Sequence, residues 1–341
     1  MKTIPVQEAV GMVLCHDITQ IVPGQVKGPV FRRGHIVSAD DIETLLDVGK
    51  ASLYVYDPRD GYVHEDEAAQ RIAWAAAGQG IVLGQPTEGK VTLSAARSGL
   101  LRIDVPGLNR LNTLEEVTFA TIHTHQVVTA GQILGGTRVI PLVVPEDLVC
   151  LTEDIGRQHL PLIEVAPLKA ARVGIVTTGS EVFHGRIKDG FGPVLRRKFD
   201  DLGCTVEEQV FVSDQVDLTV AAVMSLRRHG YDLICVTGGM SVDPDDQTPA
   251  AIRETGARIV TYGAPTFPGA MFMLAYLDDT PIVGLPGCVM YHRASIFDLV
   301  VPRLLAGETV TRKDIVRLGH GGLCSGCPEC RYPICSFGKG L

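Results

Sequence analysis

The spacing of apolar and polar residues changes along the chain, and the first of three regions mixes two patterns. Short apolar runs separated by glycines predict strands, for example over 100–105 and 137–144. Two segments, 38–49 and 65–77, have the spacing and the end residues of helices. We therefore expect residues 1–168 to form an α+β N-terminal region.

The second region, residues 169–307, alternates short apolar runs with segments of helical spacing. Strands are predicted over 172–176, 205–212, 232–236, 257–262 and 281–285, and helices over 191–202, 218–228, 247–254 and 289–305. Such alternation is typical of βαβ units, in which parallel strands form one sheet with helices on both of its faces. The predicted fold class is therefore α/β, with a mainly parallel sheet.

The third region, residues 308–341, has too few apolar residues for a core of its own, and its end is rich in cysteine. Cys324, Cys327, Cys330 and Cys335 form the pattern C-x2-C-x2-C-x4-C. Four thiolates this close in sequence can hold a zinc ion or an iron–sulfur cluster, and the two-residue gaps are typical of cluster motifs. A tail with unpaired thiols is the alternative that the pattern leaves open.

Composition narrows the class of protein. The 341 residues are 45% apolar and 21% charged, which is typical of a soluble globular protein. Acidic residues outnumber basic residues by 39 to 31, so we expect no broad surface for nucleic acid. The N-terminus lacks the pattern of a secretory signal, and no apolar run approaches the ~20 residues of a membrane span. We therefore expect a cytoplasmic protein with neither a membrane nor a nucleic-acid partner.

Unusual residues follow several predicted strands of the second region. The segments are TTGSE (177–181), GGMSVDPDD (238–246), APTFPG (264–269) and GLPGC (284–288). Ligands of open α/β sheets bind beyond the carboxyl ends of the strands, and glycines there let the backbone approach an anion closely. Hydroxyl and N–H groups suit a phosphate, whereas Glu181, Asp243, Asp245 and Asp246 suit a divalent cation. These loops point to a phosphorylated ligand handled with a metal ion, and ordinary turns are the alternative.

The same motifs resemble those of a known family. Segment 172–307 is similar to the molybdopterin-binding domain shared by molybdenum cofactor biosynthesis proteins, through TTGSE (177–181), GGMSVDPDD (238–246), PTFPGA (265–270) and GLPG (284–287). The first region resembles the N-terminal part of the molybdopterin molybdenumtransferases over a shorter stretch, AVGMVL (9–14). The resemblance implies a molybdopterin-binding α/β domain over residues 169–307.

The resemblance also implies which residues form the site. Glu181, Asp214 and Asp246 match motif acids and would be the catalytic residues that position a cation and the phosphates. The residues implied in cofactor binding are Thr177, Thr178, Gly179, Ser180, Glu181, Gly238, Gly239, Ser241, Asp243, Asp246, Pro268, Gly269, Pro286 and Gly287. The Gly-Gly and Ser positions would cradle the pterin phosphate, and the two Pro-Gly pairs would shape the walls of the pocket.

Members of this branch bind adenylated molybdopterin, insert molybdate at its dithiolene and release AMP with a divalent cation. The resemblance therefore implies molybdopterin and molybdate as substrates and Mg²⁺ as the cation. It also implies a homo-oligomer that works with a molybdenum or tungsten oxidoreductase or with other cofactor-biosynthesis proteins.

The sequence departs from the family pattern in three places. The stretch Ser-Ala-Met-Asp-Gly-Tyr, usual in the N-terminal part, is absent; Ala270 stands where a lysine usually follows Pro-Gly; and Cys288 stands where an asparagine is usual. Two further functions stay open. One is a carrier that binds molybdopterin or the finished cofactor without catalysis, with the cysteine tail as a redox sensor. The other is a nucleotide pyrophosphatase similar to the CinA-type proteins, which resemble the same domain.

Overall fold

Regular secondary structure occupies most of the computed structural model, which describes residues 2–55, 61–159, 161–241, 243 and 246–340. The strands are β1 (Lys2–Pro5), β2 (Ile18–Val22), β3 (Val26–Phe31), β4 (Ser52–Val55), β5 (Tyr62–His64), β6 (Ile81–Leu83), β7 (Lys90–Ala95), β8 (Gly99–Ile103), β9 (Val117–Thr121), β10 (Val127–Val128), β11 (Ile133–Val139), β12 (Val143–Pro145), β13 (Ile163–Ala166), β14 (Arg172–Thr178), β15 (Thr205–Val212), β16 (Leu233–Thr237), β17 (Arg258–Tyr262), β18 (Met273–Leu277) and β19 (Thr280–Leu285). The helices are α1 (Asp41–Asp47), α2 (Glu65–Ala76), α3 (Val105–Leu111), α4 (Glu146–Gln158), α5 (Ser180–Phe183), α6 (Phe191–Asp200), α7 (Val216–Arg228), α8 (Thr248–Glu254), α9 (Cys288–Tyr291), α10 (Ile296–Leu305) and α11 (Arg312–Arg317).

The chain divides into two units, and the first combines four small antiparallel sheets with helices. It comprises Met1–Ala96, Ile103–Ile122 and Ala130–Glu164. Near the N-terminus, β1 pairs antiparallel with β4, and Leu14, Leu45 and Leu53 are buried in a local core. Further along, an antiparallel sheet has the strand order β6–β7–β11–β9, and the alanines of α2 pack on Val91 of β7.

The second unit is built around a mixed six-stranded sheet. It comprises Arg97–Arg102, His123–Thr129 and Val165–Leu341. The strand order is β15–β14–β16–β19–β18–β17, in which β15, β14, β16 and β19 run parallel and β18 and β17 complete the sheet with antiparallel pairs. The parallel half of this sheet positions the loops of the candidate site.

Helices cover both faces of this sheet, as strand alternation requires. Ile175 and Cys235 belong to the core on one face, with α6 and α10, whereas Val176 and Val236 belong to the core on the other face, with α7 and α8. Because successive side chains of a strand point to opposite faces, apolar strands of this kind need cover on both sides. The predicted α/β class, with a mainly parallel sheet and helices on both faces, is confirmed.

The C-terminal segment packs on the second unit rather than forming a core of its own. Phe337 is 2% exposed within the core that also contains α10, and Ile315 of α11 is fully buried there. The Tyr332 hydroxyl donates a hydrogen bond to the carbonyl oxygen of Asp298 at 3.0 Å.

Three predicted elements are corrected by the structure. The helix expected over 289–305 is two helices, α9 and α10, because Ser295 and Asp298 form a capping box that starts a new helix. The strand expected over 100–105 ends at Ile103, since the Asp104 carboxylate accepts a hydrogen bond from Gly107 and caps α3. The strand expected over 137–144 is interrupted at 140–142, where Pro141 lacks the N–H group a sheet needs.

The strand Met273–Leu277 and the helix Glu146–Gln158 are absent from the sequence-based prediction. The N-terminal region does mix helices and sheets, as its pattern indicates. Within the described ranges, no helix is both long and apolar enough to cross a membrane. The predicted boundaries at residues 168 and 307 stay predictions.

Candidate functional site

The parallel strands bring four glycine-rich or acidic loops to one edge of the sheet. Thr178 pairs with Val212, Thr177 pairs with Thr237, and Thr237 pairs with Leu285 in the parallel registers. The residues that follow these strand ends are TTGSE, Ser213–Asp214, the Gly238–Gly239 pair and Pro286–Gly287. They therefore leave the sheet side by side, at the edge where ligands of α/β proteins bind.

The first two of these loops are joined by a hydrogen bond. The backbone N–H of Ser180 donates to the Asp214 carboxylate at 2.7 Å, and the backbone N–H of Asp214 lies 3.5 Å from the Ser180 hydroxyl. Ser180 is the first residue of the short helix α5. The acceptor is the negatively charged carboxylate of Asp214, and negative charge is favourable at the N-terminus of a helix. Asp214 is thus held at the rim, while Ser180 and Glu181 are exposed to solvent.

The first and third loops approach so closely that only glycine fits between them. Gly238 has a φ of 83°, and a Cβ atom there would lie 2.1 Å from the carbonyl oxygen of Thr178. Thr248, the first residue of α8, donates its hydroxyl to the carbonyl oxygen of Gly238 at 2.9 Å and lies 3.3 Å from the Thr178 hydroxyl. The Gly238–Gly239 turn is therefore fixed from both sides, which leaves its exposed side open to a ligand.

Polar side chains of buried or intermediate exposure lie next to these loops and are joined by hydrogen bonds. The Thr237 hydroxyl donates to the Thr177 hydroxyl at 3.1 Å, and Gln209 donates to the Thr177 hydroxyl at 3.0 Å and to Asp189 at 2.7 Å. Asp189 in turn accepts hydrogen bonds from the backbone of the first residues of α6. The buried hydroxyl groups of Thr177 and Thr237 thus both have hydrogen-bond partners, as burial demands.

The acidic part of the third loop is only partly described. Asp243 is exposed, and the Asp246 carboxylate accepts a hydrogen bond from the backbone N–H of Asp243 at 3.2 Å. Asp245, which suits a cation by its chemistry, lies outside the described residues. A turn with two accessible carboxylates can supply oxygen ligands to Mg²⁺.

The Pro-Gly loop at 268–269 has different neighbours. A Cβ atom on Gly269, whose φ is 132°, would lie 2.5 Å from Ile296, so this glycine is needed for the contact with α10. The Thr266 hydroxyl is buried without a hydrogen-bond partner in the described part of the chain. Phe267 pairs with the C-terminal segment through two backbone hydrogen bonds. The described contacts of this loop are thus made with α10 and the tail.

The Pro286–Gly287 loop leads directly into α9. The N–H groups of Val289 and Met290 donate to the carbonyl oxygens of Pro286 and Gly287. Cys288 is half-buried, and burial raises the pKa of its thiol, so the neutral thiol is favoured at neutral pH. A neutral thiol is a poor metal ligand and a poor nucleophile, and Cys288 is better suited to pack against a ligand.

The cysteines of the tail do not form a single-ion site. Among the described residues, which include Cys324, Cys327, Cys330 and Cys335, no group of three or more His, Cys, Asp or Glu side chains is placed to hold one metal ion. These cysteines do line a common cavity with Tyr332. A metal at the tail therefore remains a prediction.

The sequence-based reasoning missed two side chains that fix the loops, Thr248 and Gln209. No local signal was available for Thr248, because it is the first residue of α8 and not its cap, and its hydroxyl bonds to Gly238 in the preceding loop. No signal was available for Gln209, which belongs to β15 and reaches Thr177 across the strand pair. Its role depends on strand order rather than on a motif.

Two families match the chain. Residues 3–57 match a family described as a domain of unknown function (DUF8806), and residues 174–306 match the family described as "Probable molybdopterin binding domain". The second match contains every site residue predicted from the sequence apart from the tail cysteines.

Curated relatives named molybdopterin molybdenumtransferase show the same similarity. Those of Staphylococcus aureus (strain COL) and Bacillus subtilis (strain 168) are each 27% identical, over 132 and 159 residues. The alignments cover 36% and 45% of this chain but only 31% and 34% of those relatives. The relative of Synechococcus elongatus is 26% identical over 190 residues, with 53% of this chain and 45% of the relative covered. The chain thus spans less than half the length of the curated relatives it matches.

Among solved structures, the molybdopterin biosynthesis enzyme MoaB from Thermus thermophilus aligns with 40% of this chain and 98% of its own, at 22% identity and a TM-score of 0.33. Residues 174–306 of this chain are thus similar to the family of molybdopterin-binding domains.

Proposed function

We propose that the protein takes part in molybdenum cofactor biosynthesis and binds molybdopterin at the carboxyl edge of its parallel strands. The observation that carries the proposal is the joining of the TTGSE loop to Asp214 on one side and to Gly238 on the other. A phosphate needs a backbone that can approach it closely, and these turns offer glycines and hydroxyls at one place.

The substrate we propose is adenylated molybdopterin, with Mg²⁺ at the acidic rim. Glu181, Asp214 and Asp246 are the carboxylates that we propose for this role. They would hold the cation against the phosphates, and the cation would stabilise the charge that develops as AMP leaves. Thr178, Ser180 and Ser241 would then orient the pterin phosphate by hydrogen bonding. Molybdate insertion at the dithiolene would complete the reaction.

A carrier without catalysis is the second candidate, and two residues favour it. Ala270 and Cys288 stand where the family usually has a lysine and an asparagine, and both follow Pro-Gly pairs of the proposed pocket. A site that lacks a cationic side chain at one wall has less electrostatic stabilisation to offer a phosphate leaving group. Such a protein would still bind molybdopterin and deliver it to a molybdenum or tungsten enzyme.

Pterin content tests the proposal directly. The full chain is purified without oxygen, incubated with a molybdopterin source, and analysed for bound pterin by oxidative release and fluorescence. We expect about one pterin per chain for the unaltered protein. The adenylated substrate, molybdate and Mg²⁺ are then added, and AMP release is measured for the unaltered protein and for Asp246→Ala.

The matched control is Asp279→Ala, because Asp279 is an exposed carboxylate in the turn at the opposite edge of the same sheet. A transferase should release AMP unless Asp246 is changed, with pterin binding largely retained in the variant. Pterin binding without AMP release from the unaltered chain would establish the carrier. The absence of pterin from every preparation would overturn both, and hydrolysis of ADP-ribose would then test the nucleotide pyrophosphatase alternative.

A further inference from the structure

All four cysteines of the tail line one cavity of about 290 Å³. Residues 291–294, at the end of α9 and before α10, also line this cavity, as do Tyr332 and Phe337. Cys324, Cys330 and Cys335 are half-buried, whereas Cys327 is exposed. The thiols are thus distributed around a shared space, although they come from a loop with no regular secondary structure.

The loop that carries these thiols is anchored firmly at several points. The Tyr332 hydroxyl donates to the Asp298 carbonyl at 3.0 Å, and the Tyr332 and Phe337 rings pack edge to face with centroids 6.3 Å apart. A Cβ atom on Gly338 would lie 2.1 Å from the Leu299 side chain, so the backbone itself rests on α10. The loop that lines the cavity is therefore packed on the folded unit and is not a free tail.

The placement and the sequence spacing of the cysteines favour one of the metal centres that four thiolates can hold. A zinc ion at about 2.3 Å from each sulfur requires the four sulfurs to lie about 3.8 Å from one another. Among the described residues, no three potential ligands are placed to hold one metal ion. An iron–sulfur cluster places several irons and sulfides between the cysteines and needs a wider arrangement. The two-residue gaps between the first three cysteines are also those of cluster motifs.

We propose that this cavity binds an iron–sulfur cluster through Cys324, Cys327, Cys330 and Cys335. The cavity suits a cluster electrostatically, because His292, Arg293 and Arg331 also line it. A cluster ligated by four thiolates carries net negative charge, and nearby guanidinium groups would offset it and help to set the reduction potential.

The first of the four ligands is connected to the Pro-Gly loop of the candidate pterin site. The Cys324 N–H donates to the Phe267 carbonyl at 2.8 Å, and the Phe267 N–H donates to the Gly322 carbonyl at 2.7 Å. At Gly322 a Cβ atom would lie 2.2 Å from the Pro265 carbonyl oxygen, so the two backbones are in direct contact. The cluster therefore holds in place the segment that pairs with the loop at 265–269. This second part of the inference rests on the proposed function, whereas the cluster itself does not.

Metal analysis tests the cluster independently of any pterin. The full chain is produced and purified without oxygen, and a second portion is reconstituted with iron and sulfide. Iron, acid-labile sulfide and zinc are quantified, and visible absorption and electron paramagnetic resonance spectra are recorded. We expect iron and sulfide in equal amounts, about four of each per chain, with a broad sulfur-to-iron absorption band.

Two serine substitutions and one control identify the ligands. Cys327→Ser changes an exposed residue and should leave the apolar core intact, yet should remove most of the iron and sulfide. Cys330→Ser should do the same. The control is Cys150→Ser, since Cys150 is exposed on α4 of the other unit and should retain the full content. Thermal unfolding of each variant checks that the fold persists. Stoichiometric zinc without sulfide, or no metal after reconstitution, would overturn the proposal.

The link to the pterin loop has its own readout. If the cluster orders the segment paired with Phe267, Cys327→Ser should bind pterin at least about threefold more weakly than Cys150→Ser. Equal pterin affinity in the two variants, with cluster lost only from the first, would overturn the link and leave the cluster site standing. Absence of pterin binding in a chain that carries the cluster would count against the proposed function alone.

Discussion

The carboxylate of Asp214 accepts the backbone N–H of Ser180 at 2.7 Å, and this bond ties the ends of two neighbouring strands together. Hydrogen bonds to charged groups contribute about 1.5–3 kcal/mol. We predict that Asp214→Ala weakens pterin binding by about tenfold or more, since tenfold corresponds to about 1.4 kcal/mol. Titration of the purified variant with molybdopterin measures the change.

Asp214→Asn keeps an acceptor for the Ser180 N–H and should recover part of the affinity. The control is Asp217→Ala, because Asp217 is exposed in the first turn of α7, three residues further along. An equal loss of affinity in the control would show that net charge, and not this hydrogen bond, determines binding.

A methyl group at Gly238 should damage the fold as well as the site. The position has a φ of 83°, and the new Cβ atom would lie 2.1 Å from the Thr178 carbonyl oxygen. Gly230 has a φ of 74° but an open surrounding, with the nearest atom 3.9 Å away. Both Gly→Ala changes carry the cost of a left-handed residue, about 1–2 kcal/mol. Gly238→Ala should lose about 1–3 kcal/mol more, because the loops must also move apart.

Thermal and denaturant unfolding of the two variants gives this difference. If Gly238→Ala and Gly230→Ala lose the same unfolding free energy, the first and third loops can move apart without loss of stability. Pterin binding should fall in Gly238→Ala and stay unchanged in Gly230→Ala, since Gly230 lies at the amino end of β16, away from the loops.

The sequence predicted the parts of the second unit that depend on local pattern. Apolar runs such as Leu233–Thr237 and amphipathic segments such as Val216–Arg228 carry their own signal, because burial imposes periods of two and 3.6 residues. The break before Ile296 was missed even though Ser295 and Asp298 form a capping box, since the apolar residues on both sides have the spacing of one continuous helix. A local cap outweighed the longer apolar pattern there.

Features that depend on distant parts of the chain could not be predicted. The segments Arg97–Arg102 and His123–Thr129 group with the second unit although they lie far from it in sequence. For the candidate site, the motifs identified the loops, but Gln209 became visible only once β15 was known to lie beside β14. The shared cavity of the tail cysteines likewise depends on the position of 291–294.

A buried ion pair should be important for the stability of the second unit. Lys198 Nζ lies 2.7 and 2.8 Å from the two carboxylate oxygens of Asp298 and 2.8 Å from the Arg293 carbonyl oxygen. We predict that Lys198→Met destabilises the protein by about 3–5 kcal/mol, because it leaves a buried charge without its partner. Adding Asp298→Asn should recover much of this loss, since asparagine still accepts from Ser295.

This loss should depend on pH in a defined direction. Burial raises the pKa of Asp298 above its ordinary value of 3.8, although Lys198 opposes the shift. Without Lys198 the pKa rises further, so the carboxyl group binds its proton more tightly in the folded state than in the unfolded state. The deficit of Lys198→Met should then be smallest below pH 3.8 and should grow as the pH rises through the raised pKa.

The control for the ion pair is Arg157→Met, because Arg157 pairs with Asp154 on an exposed helix surface. Exposed pairs of this kind contribute about 0–1 kcal/mol. Urea unfolding at several pH values measures both variants. A pH-independent deficit in Lys198→Met would contradict the role assigned to Asp298.

The tail should contribute to the stability of the second unit through the buried side chain of Phe337. Phe337 is 2% exposed and packs in the core that contains Leu299, whereas Ile334, three residues earlier, is 84% exposed. Removing a buried phenylalanine ring costs about 3–5 kcal/mol, so Phe337→Ala should lower the unfolding free energy by that amount. Ile334→Ala should change it by less than about 0.5 kcal/mol, because an exposed side chain loses little on truncation. Urea unfolding of both variants, with the cysteines kept reduced, measures the two unfolding free energies. Equal stability of the Phe337→Ala and Ile334→Ala variants would mean that the tail is not part of the core of the second unit. The cysteine cavity would then lack the buried support that Phe337 gives it.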